Sequence, residues 1–204
     1  MAGIMQPLFD YLDTGDIVFV SSPTLFGRLI RFFTRIRGES RTKVNHVGMI
    51  VKFGLGETAR PMIVEAQARV RCHDFQRAYF MGKGDRNGLV IYRPCPRLDG
   101  HDRAELTLAV MKYVGLPYGP LKLLLHAGDW LLGWIFARDI KLFRRLGITP
   151  LPICSRLVEK LMGTVRIKFN GDGMSSPDSM LDWIESPGCE SRWVCVYRRP
   201  GGAL

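Results

Sequence analysis

The sequence predicts an α+β fold with a mixed or mostly antiparallel sheet packed against helices. Two observations carry this expectation. Strand-length runs rich in Val, Ile and Phe, bounded by glycines, fall in a group early in the chain instead of alternating one by one with helices. A long stretch of helical periodicity then separates the group from a final run. The order is therefore strand, helix, three or so strands, helices, strand.

Residues 15–20 (Gly-Asp-Ile-Val-Phe-Val) form the first strand. Ser22 then offers an N-cap and Pro23 suits a first helical turn. In the helix that follows, Leu25/Phe26, Leu29/Ile30, Phe33 and Ile36 make an apolar stripe, Arg28, Arg31 and Arg35 lie off it, and Gly38 ends it. His46–Phe53 and residues 62–66 are the next strands, joined through Gly54-Leu55-Gly56, and residues 88–93 are another. A helix over 103–114 has Asp99 or Asp102 as its cap. Beyond Pro120 an apolar helical region runs to near Gly147. Pro152 opens a helix over 153–162, stopped by Gly163, and Ser176-Pro177 begins a short one to Ile184. The last strand, 193–198, is largely apolar on both faces, which predicts cover on both sides.

With 204 residues, 47% of them hydrophobic and 24% charged, the composition is that of a globular chain and excludes disorder, collagen and a coiled coil. The chain is expected to form a single domain over 1–204, with an apolar and basic helical insertion at about 120–147. Five cysteines without a CxxC pair argue against a disulfide framework and a zinc knuckle, and a reducing cytosol is their simplest home. The N-terminus has no basic region followed by an apolar one, so no signal peptide is expected. The most apolar stretch, 121–136, is broken by Lys122, His126 and Asp129, whereas a membrane span needs ~20 mostly apolar residues. The expected location is cytoplasmic, with a peripheral position on a membrane left open.

Three residues stand out for chemistry: His46, Glu65 and Cys154. His46 begins one apolar strand and Glu65 lies at the end of another. A hairpin folded between Leu55 and Gly56 would set them directly opposite, on one face, with Cβ atoms ~5 Å apart. Pro152 places Cys154 in the first turn of a helix, where the dipole favours a thiolate and N–H groups could serve an oxyanion. A thiolate needs an imidazole partner, and the imidazole needs a group that fixes its tautomer. Taken singly, a cysteine at a helix start is more often a small buried hydrophobe, and a strand-end histidine is more often structural. The combination is what points to a thiol nucleophile. Cys72 and His73 are sequence neighbours and would face opposite ways on a strand, so they make a poor dyad. No HExxH, Walker-type loop or GxGxxG occurs, so neither a metal nor a cofactor is expected.

Thr14-Gly15-Asp16-Ile17-Val18-Phe19, Asn45-His46-Val47-Gly48-Met49-Ile50, Val64-Glu65-Ala66, Tyr118, Ile153-Cys154-Ser155-Arg156-Leu157-Val158 and Ser176-Pro177-Asp178 occur in that order. This pattern resembles the circularly permuted branch of the NlpC-type papain-like superfamily, often called YiiX-like, in which the histidine precedes the cysteine. The resemblance implies a permuted papain-like fold and a cysteine peptidase or amidase, with Cys154 as nucleophile, His46 as base and Glu65 as orienting group. Tyr118 and Ser155 are the matching candidates for an oxyanion-hole or pocket role. The same branch is similar in layout to lecithin–retinol acyltransferase-like enzymes, so an acylated amphiphile competes with a peptide as substrate.

Lys and Arg outnumber Asp and Glu by 29 to 19, a net charge of +10. Residues 27–43 carry a local +5, including Arg28, Arg31 and Arg35, and residues 137–146 carry +3, including Arg138, Lys141 and Arg144. One reading is a solvated helix face; the other is a surface for anionic lipid. No aromatic stacking platform accompanies the charge, which argues against nucleic acid. A non-catalytic membrane-surface module with an inert thiol is the alternative from a different class. Nothing in the sequence sets the oligomeric state.

Overall fold

The computed structural model describes residues 8–22, 43–54, 59–67, 69–81, 85, 87–117, 154–169, 176–189 and 191–200. Six strands form one sheet: β1 (Ile17–Ser21), β2 (His46–Phe53), β3 (Arg60–Ala66), β4 (Val70–Asp74), β5 (Gly88–Pro94) and β6 (Trp193–Arg199). Their spatial order is β4-β3-β2-β1-β5-β6, and every neighbouring pair is antiparallel. Among the described residues, helices accompany them at 8–11 and at α1 (Phe75–Tyr79), α2 (Gly100–Tyr113), α3 (Cys154–Thr164) and α4 (Pro177–Ile184). The fold class is α+β.

The continuous apolar runs of the central strands follow from cover on both faces. Ile17 and Phe19 of β1, Val47, Met49 and Val51 of β2 and Val64 of β3 share one core with Leu106 and Val110 of α2 and with Leu157, Val158, Leu161 and Met162 of α3. The alternate residues Val18, Val20, Ile50, Ile63, Leu89 and Ile91 face a second, smaller core completed by Phe9, Leu12, Phe75 and Tyr79. β1 and β5 are also linked by a buried ion pair. Arg93 donates through Nε and Nη2 to the two carboxylate oxygens of Asp16, both at 2.7 Å, and its guanidinium lies 4.6 Å from the centre of the Tyr11 ring.

Local signals account for most element ends. Asp99 accepts from the Asp102 N–H to cap α2, and Ser176 accepts from the Ser179 N–H ahead of Pro177 to cap α4. Gly163 does not stop α3, which continues to Thr164; packing of Leu161 and Met162 outweighs one glycine. Further expectations need correction. The β2–β3 register places Gly48, not His46, opposite Glu65, two residues from the expected pairing. β4 and α1 were not anticipated as elements of the sheet and its cover. β6 is an edge strand with Val194 and Cys195 exposed, so its apolar faces do not mark two-sided cover. The expected helices over 25–38 and about 120–147 lie outside the described residues. Among those described, no helix is long and apolar enough to cross a membrane.

Candidate active site

His46 is the first residue of β2, paired with Val20 of β1. The chain entering it is held by two buried side chains. Asn45 accepts from the Ser22 N–H and donates to the Ser22 carbonyl, both at 3.1 Å. Asp178, in the first turn of α4, accepts from the backbone N–H groups of Lys43 at 2.7 Å and Val44 at 3.1 Å. The Asn45 and Ser176-Pro177-Asp178 segments therefore fix where the histidine begins.

Glu65 lies diagonally across from His46. The two-residue difference from the expected register keeps both on the same face, since strand side chains alternate with period two. The residue opposite Glu65 is Gly48, where an added Cβ would come within 2.9 Å of the Ile63 side chain and 3.0 Å of the Val64 carbonyl oxygen. His46 donates through Nε2 to Glu65 Oε2 at 2.7 Å. The Cys154 side chain lies near enough to the same ring to help raise its pKa.

Cys154 is the first residue of α3 and is buried. It belongs to the core on the α3 side of the sheet, whereas by strand alternation His46 and Glu65 belong to the opposite side. They meet because His46 terminates its strand and α3 begins at the same end of the sheet. Ser155 is fully buried behind it. Tyr118 and the basic residues Arg28, Arg31, Arg35, Arg138, Lys141 and Arg144 lie outside the described residues.

Glu65 is only 1% exposed, and an ionised carboxylate so placed is costly unless its oxygens are satisfied. Four donors satisfy them. Oε2 accepts from His46 and, at 2.6 Å, from the Tyr79 hydroxyl. Oε1 accepts from Gln67 Nε2 at 2.6 Å and from His73 Nε2 at 2.7 Å. Sequence reasoning missed all three additional partners. The alternation of β4 carried a signal, since Arg71 lies opposite Glu65 and His73 opposite Ile63, on the carboxylate's face. His73 does not form a dyad with Cys72, which packs against the other core.

The electrostatics follow from this arrangement. Burial works against a charged imidazole at His46, but the hydrogen bonds to Cys154 and Glu65 overcome it and raise the pKa to about 10. Burial likewise opposes the Glu65 carboxylate, yet hydrogen bonds from His46, His73 and Tyr79 hold it well below the usual carboxylate range. Burial and the neighbouring carboxylate push the Tyr79 phenol well up. Burial alone raises the Cys72 thiol.

No family model matches the sequence, and no curated protein is detectably similar. Among solved structures, the chain is similar to the crystal structure of metalloprotein YiiX from Escherichia coli O157:H7. The two align over 92% of this chain and 98% of that one, with a TM-score of 0.53 and 19% identity. The likeness is one of fold. The word metalloprotein describes YiiX. In this chain both Glu65 oxygens already accept two hydrogen bonds each, and the described residues contain no group of three His, Cys, Asp or Glu able to hold a metal ion. These residues do not fit a metal centre.

Proposed function

We propose that this protein is a thiol hydrolase that cleaves an amide bond through an acyl-enzyme on Cys154. The 2.7 Å hydrogen bond from His46 to the buried Glu65, with Cys154 at the start of α3 acting on the same imidazole, carries this reading. In the first step the Cys154 sulfur, its proton already held on the His46 imidazolium, attacks the carbonyl carbon. The electron pair displaced onto the carbonyl oxygen forms beside the first turn of α3, at Cys154 and Ser155, where the positive end of the helix suits an oxyanion. Glu65 holds the imidazole by Nε2 and stabilises the imidazolium. Collapse breaks the C–N bond, His46 returns the proton to the departing amine, and a thioester remains. Water, deprotonated by His46, then releases the acid and restores the thiol.

An acyl-lipid ester or thioester is the second substrate reading, and one observation favours it. Leu108, Met111, Val114 and Leu116 are exposed along α2 and just beyond it. The Leu116 carbonyl accepts from the N–H of Val70, which pairs with Ala66 beside Glu65, so this apolar stripe runs to the end of the sheet that holds the site. An amphiphile could rest its chain there.

Labelling with iodoacetamide near neutral pH, resolved by peptide mass spectrometry, tests the reading. Cys154 should be the fastest cysteine to react, Cys154→Ala should remove that signal, and Cys72→Ala should leave it. A Cys154 that stays unreactive, with no effect of His46→Ala on any cysteine, would overturn the enzyme reading in favour of a binding module. Product release from a peptide amide panel against an acyl-ester panel decides the bond.

A further inference from the structure

We propose that His73 and Tyr79 are positioning residues of this site, which orient the Glu65 carboxylate so that Oε2 meets His46 Nε2. This rests on the reading of Cys154 as a nucleophile. Because Glu65 is diagonal to His46 and not opposite it, its carboxylate must reach along the strand direction. A carboxylate can rotate about its terminal bond, and its plane must be held for either of its equivalent oxygens to meet the imidazole. Tyr79 shares Oε2 with His46, and His73 shares Oε1 with its strand neighbour Gln67, so donors on both oxygens fix the carboxylate plane. They reach it from different elements. His73 projects from β4, and α1, capped by the Asp74 side chain accepting from the Arg77 N–H, returns the chain so that Tyr79 lies over the same face.

Neither residue is explained by packing alone. The Tyr79 ring could be replaced by Phe within the apolar cluster of Phe75 and Ile63, yet its hydroxyl is aimed at a carboxylate oxygen. The His73 side chain is 36% exposed and would lose little apolar burial if changed, yet its Nε2 is turned inward to Oε1. The charged or titratable groups facing Glu65 are His46 from β2, His73 and the exposed Arg71 from β4, Tyr79 from α1 and, through His46, Cys154 from α3.

The test is the rate of Cys154 alkylation by iodoacetamide, followed against pH in the full-length protein and in Tyr79→Phe, His73→Leu and His73→Gln. Each deletion of a donor should slow alkylation roughly tenfold, the effect expected of one hydrogen bond to a charged group. It should also move the acid limb of the profile to higher pH, because a carboxylate with fewer donors protonates more readily. His73→Gln, whose amide can still donate to Oε1, should restore both. If Tyr79→Phe and His73→Leu keep the wild-type profile, whatever their thermal stability, the two residues serve only folding and the proposal is overturned. Failure of the hydrolase reading looks different: Cys154 of the unmodified protein would then react no faster than the exposed Cys95.

Discussion

At the level of single residues, Glu65 and His46 tie folding to pH. His46 binds its proton more tightly in the folded state, with a pKa raised from 6.5 to about 10. The stabilisation it contributes is therefore complete below its unfolded value of 6.5 and lost as pH rises through about 10. Glu65 is lowered from 4.5, so its contribution is present above that value and lost as pH falls towards the folded pKa. Glu65→Gln removes the charge that holds the imidazolium. It should lower the His46 pKa, read from the imidazole proton resonance, and flatten the decline of the thermal midpoint above pH 6.5. An unchanged His46 titration would contradict the coupling. All three residues of the candidate set were legible in the sequence, through a strand start, a strand end and a proline before a helix. Gln67 and Tyr79 were not, because a hydrogen-bond partner for a buried carboxylate leaves no periodic trace, and His73 was marked only by the alternation of β4.

At the level of elements, the β2–β3 pair shows what a turn can and cannot specify. The glycines of Gly54-Leu55-Gly56 mark a turn but not its centre, and the observed pairing of Gly48 with Glu65 differs by two residues from the expected one. Because the difference is even, the hydrophobic alternation is satisfied equally well by both registers, and the burial pattern alone could not choose. Gly48 helps to choose. A side chain there would meet Ile63 and the Val64 carbonyl, so the observed register suits a glycine at that position. Gly48→Ala should destabilise the protein by about 1–3 kcal/mol in a denaturant titration, as expected of overpacking. It should also slow Cys154 alkylation by displacing Glu65. A neutral substitution would mean that Ile63 and the strand relax freely. β6 teaches a related lesson: apolar residues on both faces of a run show a tendency to burial, but the sheet order decides which strand lies at the edge.

For the molecule as a whole, the net charge of +10 bears on association and not on the chemistry at Cys154. Combined with the exposed stripe of Leu108, Met111, Val114 and Leu116, it predicts sedimentation with vesicles containing phosphatidylserine at low salt and release at high salt. Absent or salt-insensitive binding would remove the membrane surface from consideration. The sequence by itself determined the α+β class, most strand and helix positions among the described residues, the cap at Ser176, the narrowing of the α2 cap to Asp99 or Asp102, and the residue types of the candidate site. These are local properties, set by hydrophobic period and by the chemistry of individual turns and caps. Only the tertiary structure decided that the sheet runs β4-β3-β2-β1-β5-β6 and that Cys154 reaches His46 from the opposite core. It also decided that β4 and α1 supply two donors to Glu65. Those outcomes depend on which distant elements pack together, and the burial of one carboxylate then requires partners that no single segment contains.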